Sequence, residues 1–305
     1  MGASERQQAW TRYWQSGALH SCAGSYDGNY GGAIAAFWHA RFADVTASMR
    51  VLDLCTGNGP LPALLLARFD GQPAPRIDAV DFAEPRPAWA NADRITFHAR
   101  TSIESLPFED AAFDRVYSQF GFEYADTTRA LAEALRVLSP NGELALVCHH
   151  AGSWLAEVAA EEVAHLEWLT ANDAPDIAAA VAPAAARGGI PAAMADTAFD
   201  ALMRALAARA RVARLPDALH DAGNALGGLV ELAAARGESA ACAAAESWRT
   251  AIKDARLRSS ELVEHALDAD AVNALATMLR GGGRGCEVGE LREGDYLVGW
   301  TVVSR

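Results

Sequence analysis

An apolar run carrying an acid breaks into a glycine turn at Val51-Leu52-Asp53-Leu54-Cys55-Thr56-Gly57-Asn58-Gly59-Pro60. The order describes a buried parallel strand, a tight loop, and a helix predicted from Leu61 to Phe69. Glycine has no Cβ and adopts positive φ, so such a loop lets the backbone approach a ligand closely. The free N–H groups of the following helix start favour a carboxylate or phosphate. Two nucleotide loops do not fit. A dinucleotide loop needs Gly-x-Gly-x-x-Gly, and Pro62 stands at the third glycine. A Walker-type phosphate loop needs a lysine beside its last glycine, and the single lysine of this chain is the distant Lys253.

Further residues with chemical capacity follow in order. Arg76 to Asp81 reads as a second strand ending in an acid, with Phe82 next to it. In an open parallel sheet ligands sit beyond the carboxyl ends of the strands, where an acid can accept both hydroxyls of a ribose. Arg94 to Ala99 is a third strand, Ser102 to Asp114 a loop, and Arg115 to Phe120 a fourth strand. Ala134 to Val147 reads as a helix, a Pro140-Asn141-Gly142 turn and a fifth strand.

This succession, over residues 51–147, resembles the class I S-adenosylmethionine-dependent methyltransferases, with a type 11-like first motif. The resemblance implies an α/β fold: a doubly wound, Rossmann-like, mostly parallel sheet of seven strands. It implies S-adenosyl-L-methionine as cofactor and S-adenosyl-L-homocysteine as product. Asp53, Cys55, Gly57 and Gly59 then hold the methionine end, with Gln119 bordering it. Asp81 takes the ribose, Phe82 walls the adenine, and Ser102 with Ile103 reads the adenine edge. The family often carries an Asp where Ser102 stands; a neutral serine should bind there more weakly.

Methyl transfer from a sulfonium needs orientation, desolvation and sometimes a base, so no universal catalytic residue exists to search for. Acceptor-side residues should lie after strands four and five. Tyr124 and Glu123 follow strand four; His149 and His150 end strand five. Adjacent residues on a strand point to opposite sides. One of the two histidines is therefore expected to face the site, as general base or as a positioning group. No third ligand at useful spacing suggests a metal.

Composition narrows the acceptor. Net charge is −13, and no basic strip compensates. This argues against nucleic acid, as does the lack of Asn/Asp-Pro-Pro-Tyr and Pro-Cys motifs and of a lysine tetrad. The expected activity is methyl transfer to an O or N atom of a small molecule of natural-product type, or of a peptide. The alternative is a catalytically silent binding or assembly protein of the same fold. The five scattered cysteines, with no Cys-x-x-Cys, suggest neither disulfides nor zinc. The expected location is the cytoplasm: no apolar run reaches membrane-spanning length, the start lacks a leader's apolar core, and Arg6 breaks a myristoylation pattern.

Four segments are expected. Residues 1–50 form a helical, aromatic lid, with Tyr26 and Tyr30 in a glycine-rich loop as lid candidates. Residues 51–150 form the cofactor-binding core. Residues 151–281 are alanine-rich and predict four to six helices, broken at Asn172-Asp-Ala-Pro, Gly188-Gly-Ile-Pro, Leu215-Pro and Gly237. This insertion between strands five and six caps the substrate, forms a homodimer, or does both. Residues 282–305 form a closing β-hairpin. Replacing Asp81 with alanine should weaken S-adenosylhomocysteine binding about tenfold or more, through lost charge-assisted hydrogen bonds. Titration calorimetry reads this, and unchanged affinity rejects the ribose assignment.

Overall fold

The computed structural model describes residues 3–21, 28–87, 94–187 and 190–305. The chain forms two compact units: residues 1–156 with 261–305, and residues 157–260. The first unit holds a seven-stranded sheet. Its strands are β1 (Arg50–Leu54), β2 (Arg76–Val80), β3 (Ile95–His98), β4 (Phe113–Gln119), β5 (Leu138–His149), β6 (Cys286–Glu293) and β7 (Tyr296–Ser304). Their order is β3-β2-β1-β4-β5-β7-β6. The first five run parallel, and β7 pairs antiparallel with both β5 and β6. This is the class I methyltransferase arrangement that the resemblance implied.

The strands are buried on both faces, as parallel strands under helices must be. Leu52, Leu54, Leu144 and Leu146 belong to one core; Val51, Ala145 and Val147 belong to the other. Helix α2 (Gly32–Phe42) packs Ile34, Trp38 and Phe42 into the second core, joined by Leu61 and Leu65 of α3 (Pro60–Ala67). Helix α4 (Thr127–Val137) covers the first core with Ala130, Leu131, Ala134 and Val137. Its start is set by Asp126, whose carboxylate accepts the N–H groups of Thr128 and Arg129 at 3.1 Å. Helix α1 (Ala3–Gln15) completes the N-terminal segment.

Six helices follow β5: α5 (Trp154–Ala171), α6 (Ala174–Arg187), α7 (Ile190–Ala210), α8 (Asp217–Arg236), α9 (Glu238–His265) and α10 (Ala269–Gly281). The second unit has its own core, in which Leu166, Leu169, Leu202, Leu206, Leu219, Leu226 and Ile252 pack with small alanines. Gly237, at φ +81°, ends α8. Among the described residues no helix is long and apolar enough to cross a membrane.

Two boundaries differ from the sequence reading. The insertion was expected to run to residue 281, but the second unit closes at Ser260. Helix α10 belongs with the sheet because Val272, Leu275 and Leu279 join its first core. The base of the insertion is stitched shut: Leu267 N–H donates to the His149 carbonyl and Ala151 N–H to the Leu267 carbonyl, both at 2.9 Å. The Pro140-Asn141-Gly142 turn is instead an irregularity inside β5. Pairing jumps from Phe113–Leu138 to Arg115–Glu143, and the Arg284 guanidinium caps the Pro140 and Gly142 carbonyls.

The loops after β1 and β4 meet at Gly121, where an added Cβ would lie 2.3 Å from the Cys55 Cβ. Gly121→Ala should therefore cost about 1–3 kcal/mol, as overpacking does. Chemical denaturation checks this; an unchanged midpoint with unchanged slope contradicts the close approach.

Candidate active site

The chain bends sharply where β1 ends. Cys55, Gly57 and Gly59 have φ of +56°, +54° and +76°. Cys55 is not glycine, so its left-handed backbone is strained, and Phe120 after β4 shares the condition at φ +53°. Such residues persist only where surrounding packing holds them, and both border the same cavities. The two glycines shape the loop rather than offer free donors. Gly57 N–H donates to the Asp81 carboxylate at 2.7 Å, and Gly59 N–H to the Thr56 carbonyl at 2.9 Å. Asn58, between them, donates its amide to the carbonyls of Trp14 (2.7 Å) and Ala18 (2.6 Å) and accepts Arg86 N–H at 3.0 Å.

Two acids are buried at the strand ends, Asp53 at 3% and Asp81 at 6% exposure. Neither has a salt-bridge partner among the described residues. Burial pushes the Asp53 carboxyl up to about 8; the Thr56 hydroxyl opposes this and the Asp81 charge adds to it. Burial also raises Asp81, against the N–H groups of Gly57 and Ala83. Gln119 accepts the Trp38 indole N–H at 2.5 Å. Its own buried Nε2 has no partner. A site with two buried acids that lack a cation partner among the described residues, and one orphaned amide donor, suits a cationic ligand that also carries a carboxylate. The amino-acid end of S-adenosylmethionine has both groups, so the residues present fit the cofactor.

Two cavities meet here. The first and larger is lined by Asp81, Phe82, Ser102, Ile103, Tyr124 and Arg6 among others. The second is lined by Tyr30, Asp53, Thr56, Pro60, Leu61 and Gln119 among others. Trp10, Trp14, Cys55 and Phe120 border both. Tyr30 is buried and stacks on His20 with ring centres 4.7 Å apart. Tyr26 lies outside the described residues. Ser102 accepts the Glu104 N–H at 3.2 Å through its hydroxyl.

The two histidines separate as strand alternation requires. His149 is buried beneath Phe120, ring centres 4.1 Å apart and nearly parallel, with Tyr124 edge-on at 5.9 Å. Glu123 Oε1 accepts both the His149 backbone N–H and Nδ1, each at 2.7 Å. His150 stacks on Trp300 and accepts the Gly152 N–H at 2.8 Å. Neither histidine lines either cavity; His149 lies behind Phe120 and Tyr124, which do. The sequence reading expected an aromatic lid in residues 1–50 but singled out Tyr26 and Tyr30; it gave no role to Arg6, Trp10 and Trp14, which line the larger cavity, or to Asn58, which binds the Trp14 and Ala18 carbonyls.

The family profile described as "Methyltransferase domain" matches residues 51–142. That segment matches the methyltransferase-domain family. Its relatives include a demethylmenaquinone methyltransferase of Thermus thermophilus, 38% identical over 36% of this chain and 53% of the relative. A ubiquinone/menaquinone biosynthesis C-methyltransferase of Geobacter sulfurreducens is 37% identical over 32% of this chain and 41% of the relative. Among solved structures, geranyl diphosphate C-methyltransferase of Streptomyces coelicolor with S-adenosyl-L-homocysteine is 17% identical, at TM-score 0.37. It covers 47% of this chain and 64% of that one. The chain thus spans about half, or less, of the length of the curated relatives it matches.

The raised Asp53 gives a signed pH dependence. A bound ammonium lowers that carboxyl's pKa, so binding favours its ionised form. Affinity for S-adenosylhomocysteine should be full above pH 8. It should weaken by up to about tenfold for each pH unit below that. Calorimetry from pH 6 to 9 measures the slope; an Asp53→Asn variant should lose it.

Proposed function

We propose that the chain is a methyltransferase that moves the methyl of S-adenosylmethionine to an O or N atom of a small, mostly apolar acceptor. His149 serves as the general base. The observation that carries this reading is the Glu123–His149 pair, buried against the aromatic walls Phe120 and Tyr124 of the larger cavity. Bound S-adenosylmethionine supplies a methyl already activated by its sulfonium. The protein has to hold the acceptor, exclude water and take a proton.

Asp53 and Gln119 suit the amino-acid end, Asp81 the ribose, and Phe82, Ser102 and Ile103 the adenine. Glu123 accepts from Nδ1 and so favours the tautomer whose Nε2 is unprotonated. Nε2 has no hydrogen-bond partner among the described residues. It is the atom to which the acceptor's O–H or N–H proton would pass as the new bond to carbon forms. Rings of Trp10, Trp14, Phe120 and Tyr124 line the same cavity as Asp81, Phe82, Ser102 and Ile103, so the nucleoside and a flat acceptor would share it. Arg6 is committed to Glu261 and to the Tyr124 carbonyl, so no free cation among the lining residues invites an anionic one.

A second reading, transfer to a ring carbon, is favoured by the name of the Geobacter relative. The same base would then take the proton of a neighbouring ring hydroxyl. Methyl-labelled cofactor with hydroxylated aromatic and amine acceptors, read by NMR of the product, separates O-, N- and C-transfer. His149→Ala should lower kcat by about a hundredfold or more. S-adenosylhomocysteine affinity should stay within about twofold. Unchanged kcat rejects His149 as base.

A further inference from the structure

The cofactor trough is divided. The ribose acid Asp81 opens into one cavity and Asp53 into the other, with Trp10, Trp14, Cys55 and Phe120 as their common wall. A nucleoside joined to an amino acid must reach both acids, so it has to pass this wall. Cys55 and Phe120 belong to strand ends in left-handed backbone and have little freedom to move. Trp14 belongs to α1 and lies directly on the glycine loop: a Cβ on Gly57 would come within 2.7 Å of its indole ring.

Helix α1 is held at both ends and along its length, where Gln7 Nε2 donates to the Phe82 carbonyl at 2.8 Å and the Thr11 hydroxyl accepts the Glu84 N–H at 3.1 Å. Near its C-terminus, Asn58 grips the carbonyls of Trp14 and Ala18. Nearer its N-terminus, Glu261 makes a double contact. One oxygen meets Arg6 Nε at 2.6 Å, and the other accepts the Trp10 indole N–H at 2.8 Å. The Glu261 side chain is only 14% exposed, so this contact is less screened than a surface ion pair. Arg6 in turn donates to the Tyr124 carbonyl at 2.9 Å. Trp10 stacks on Trp14 with ring centres 5.9 Å apart, which passes the restraint from Glu261 to the wall.

We propose that Glu261 is a positioning residue for the cofactor, a latch that holds Trp14 across the trough through Arg6 and Trp10. Its release lets the nucleoside enter and leave. The inference rests on the reading that the trough takes S-adenosylmethionine.

Stopped-flow tryptophan fluorescence with S-adenosylhomocysteine tests it. Glu261→Ala should raise both association and dissociation rates about tenfold or more, as loss of a shielded charged contact allows. Glu261→Gln, which keeps an acceptor for Trp10 but loses the charge opposite Arg6, should fall between. Trp14→Ala should be as fast as Glu261→Ala, and the double variant no faster than either, because the two act through one element. Should Glu261→Ala fail to fold, Trp10→Phe removes the indole donor alone and should speed both rates in the same sense. Rates within about twofold of wild type, or additive effects in the double variant, overturn the latch. Wild-type protein that binds no S-adenosylhomocysteine overturns instead the cofactor reading on which the latch rests.

Discussion

Two acids buried side by side, with no cation to answer them among the described residues, are the constraint around which the first unit is built. Asp53 and Asp81 sit at the ends of neighbouring strands, β1 and β2, the end at which open parallel sheets take ligands. Each would be costly to ionise in isolation. The chain spends backbone donors on Asp81 and keeps Asp53 beside Thr56. The remaining deficit is of the kind a sulfonium amino acid can fill. The left-handed Cys55, the bent glycine loop and the close approach of Gly121 all serve to bring backbone and acids to one spot.

The aromatic side of the site has a different logic. Helix α1 carries Trp10 and Trp14, which contribute large apolar area at low entropic cost. Polar anchors at both ends fix that area over the loop. Beneath it lies the buried Glu123–His149 pair, joined by one hydrogen bond. Phe120 and Tyr124 separate this pair from the cavity above it.

Much of this was legible in the sequence because it is local. The acid and glycine loop after β1, the acid ending β2 and the alternation at His149 and His150 follow from spacing alone. The sheet order followed from the succession of strands together with the family resemblance. What escaped depends on residues far apart in the chain. The spacing gives Asn58 no role; its amide meets the Trp14 and Ala18 carbonyls only in the fold. Nor does it single out Glu261, which Arg6 and Trp10 reach from a distant segment. Helix α10 has the same apolar spacing whether it joins the helical unit or the sheet, so its side chains could not say where the insertion ends. Pro140-Asn141-Gly142 has turn chemistry, yet pairing with β4 and the Arg284 cap keep it inside a strand.

The stitched base of the insertion has a consequence for how this chain can vary. His149, Ala151 and Leu267 bring the two ends of the excursion within hydrogen-bonding distance of each other. A segment that leaves and returns at one point can be shortened, lengthened or exchanged without shifting the strands on either side. The excursion between Ala151 and Leu267 is therefore open to exchange as one piece. A graft that preserved those few backbone bonds would leave His149 and the end of β5 where they are.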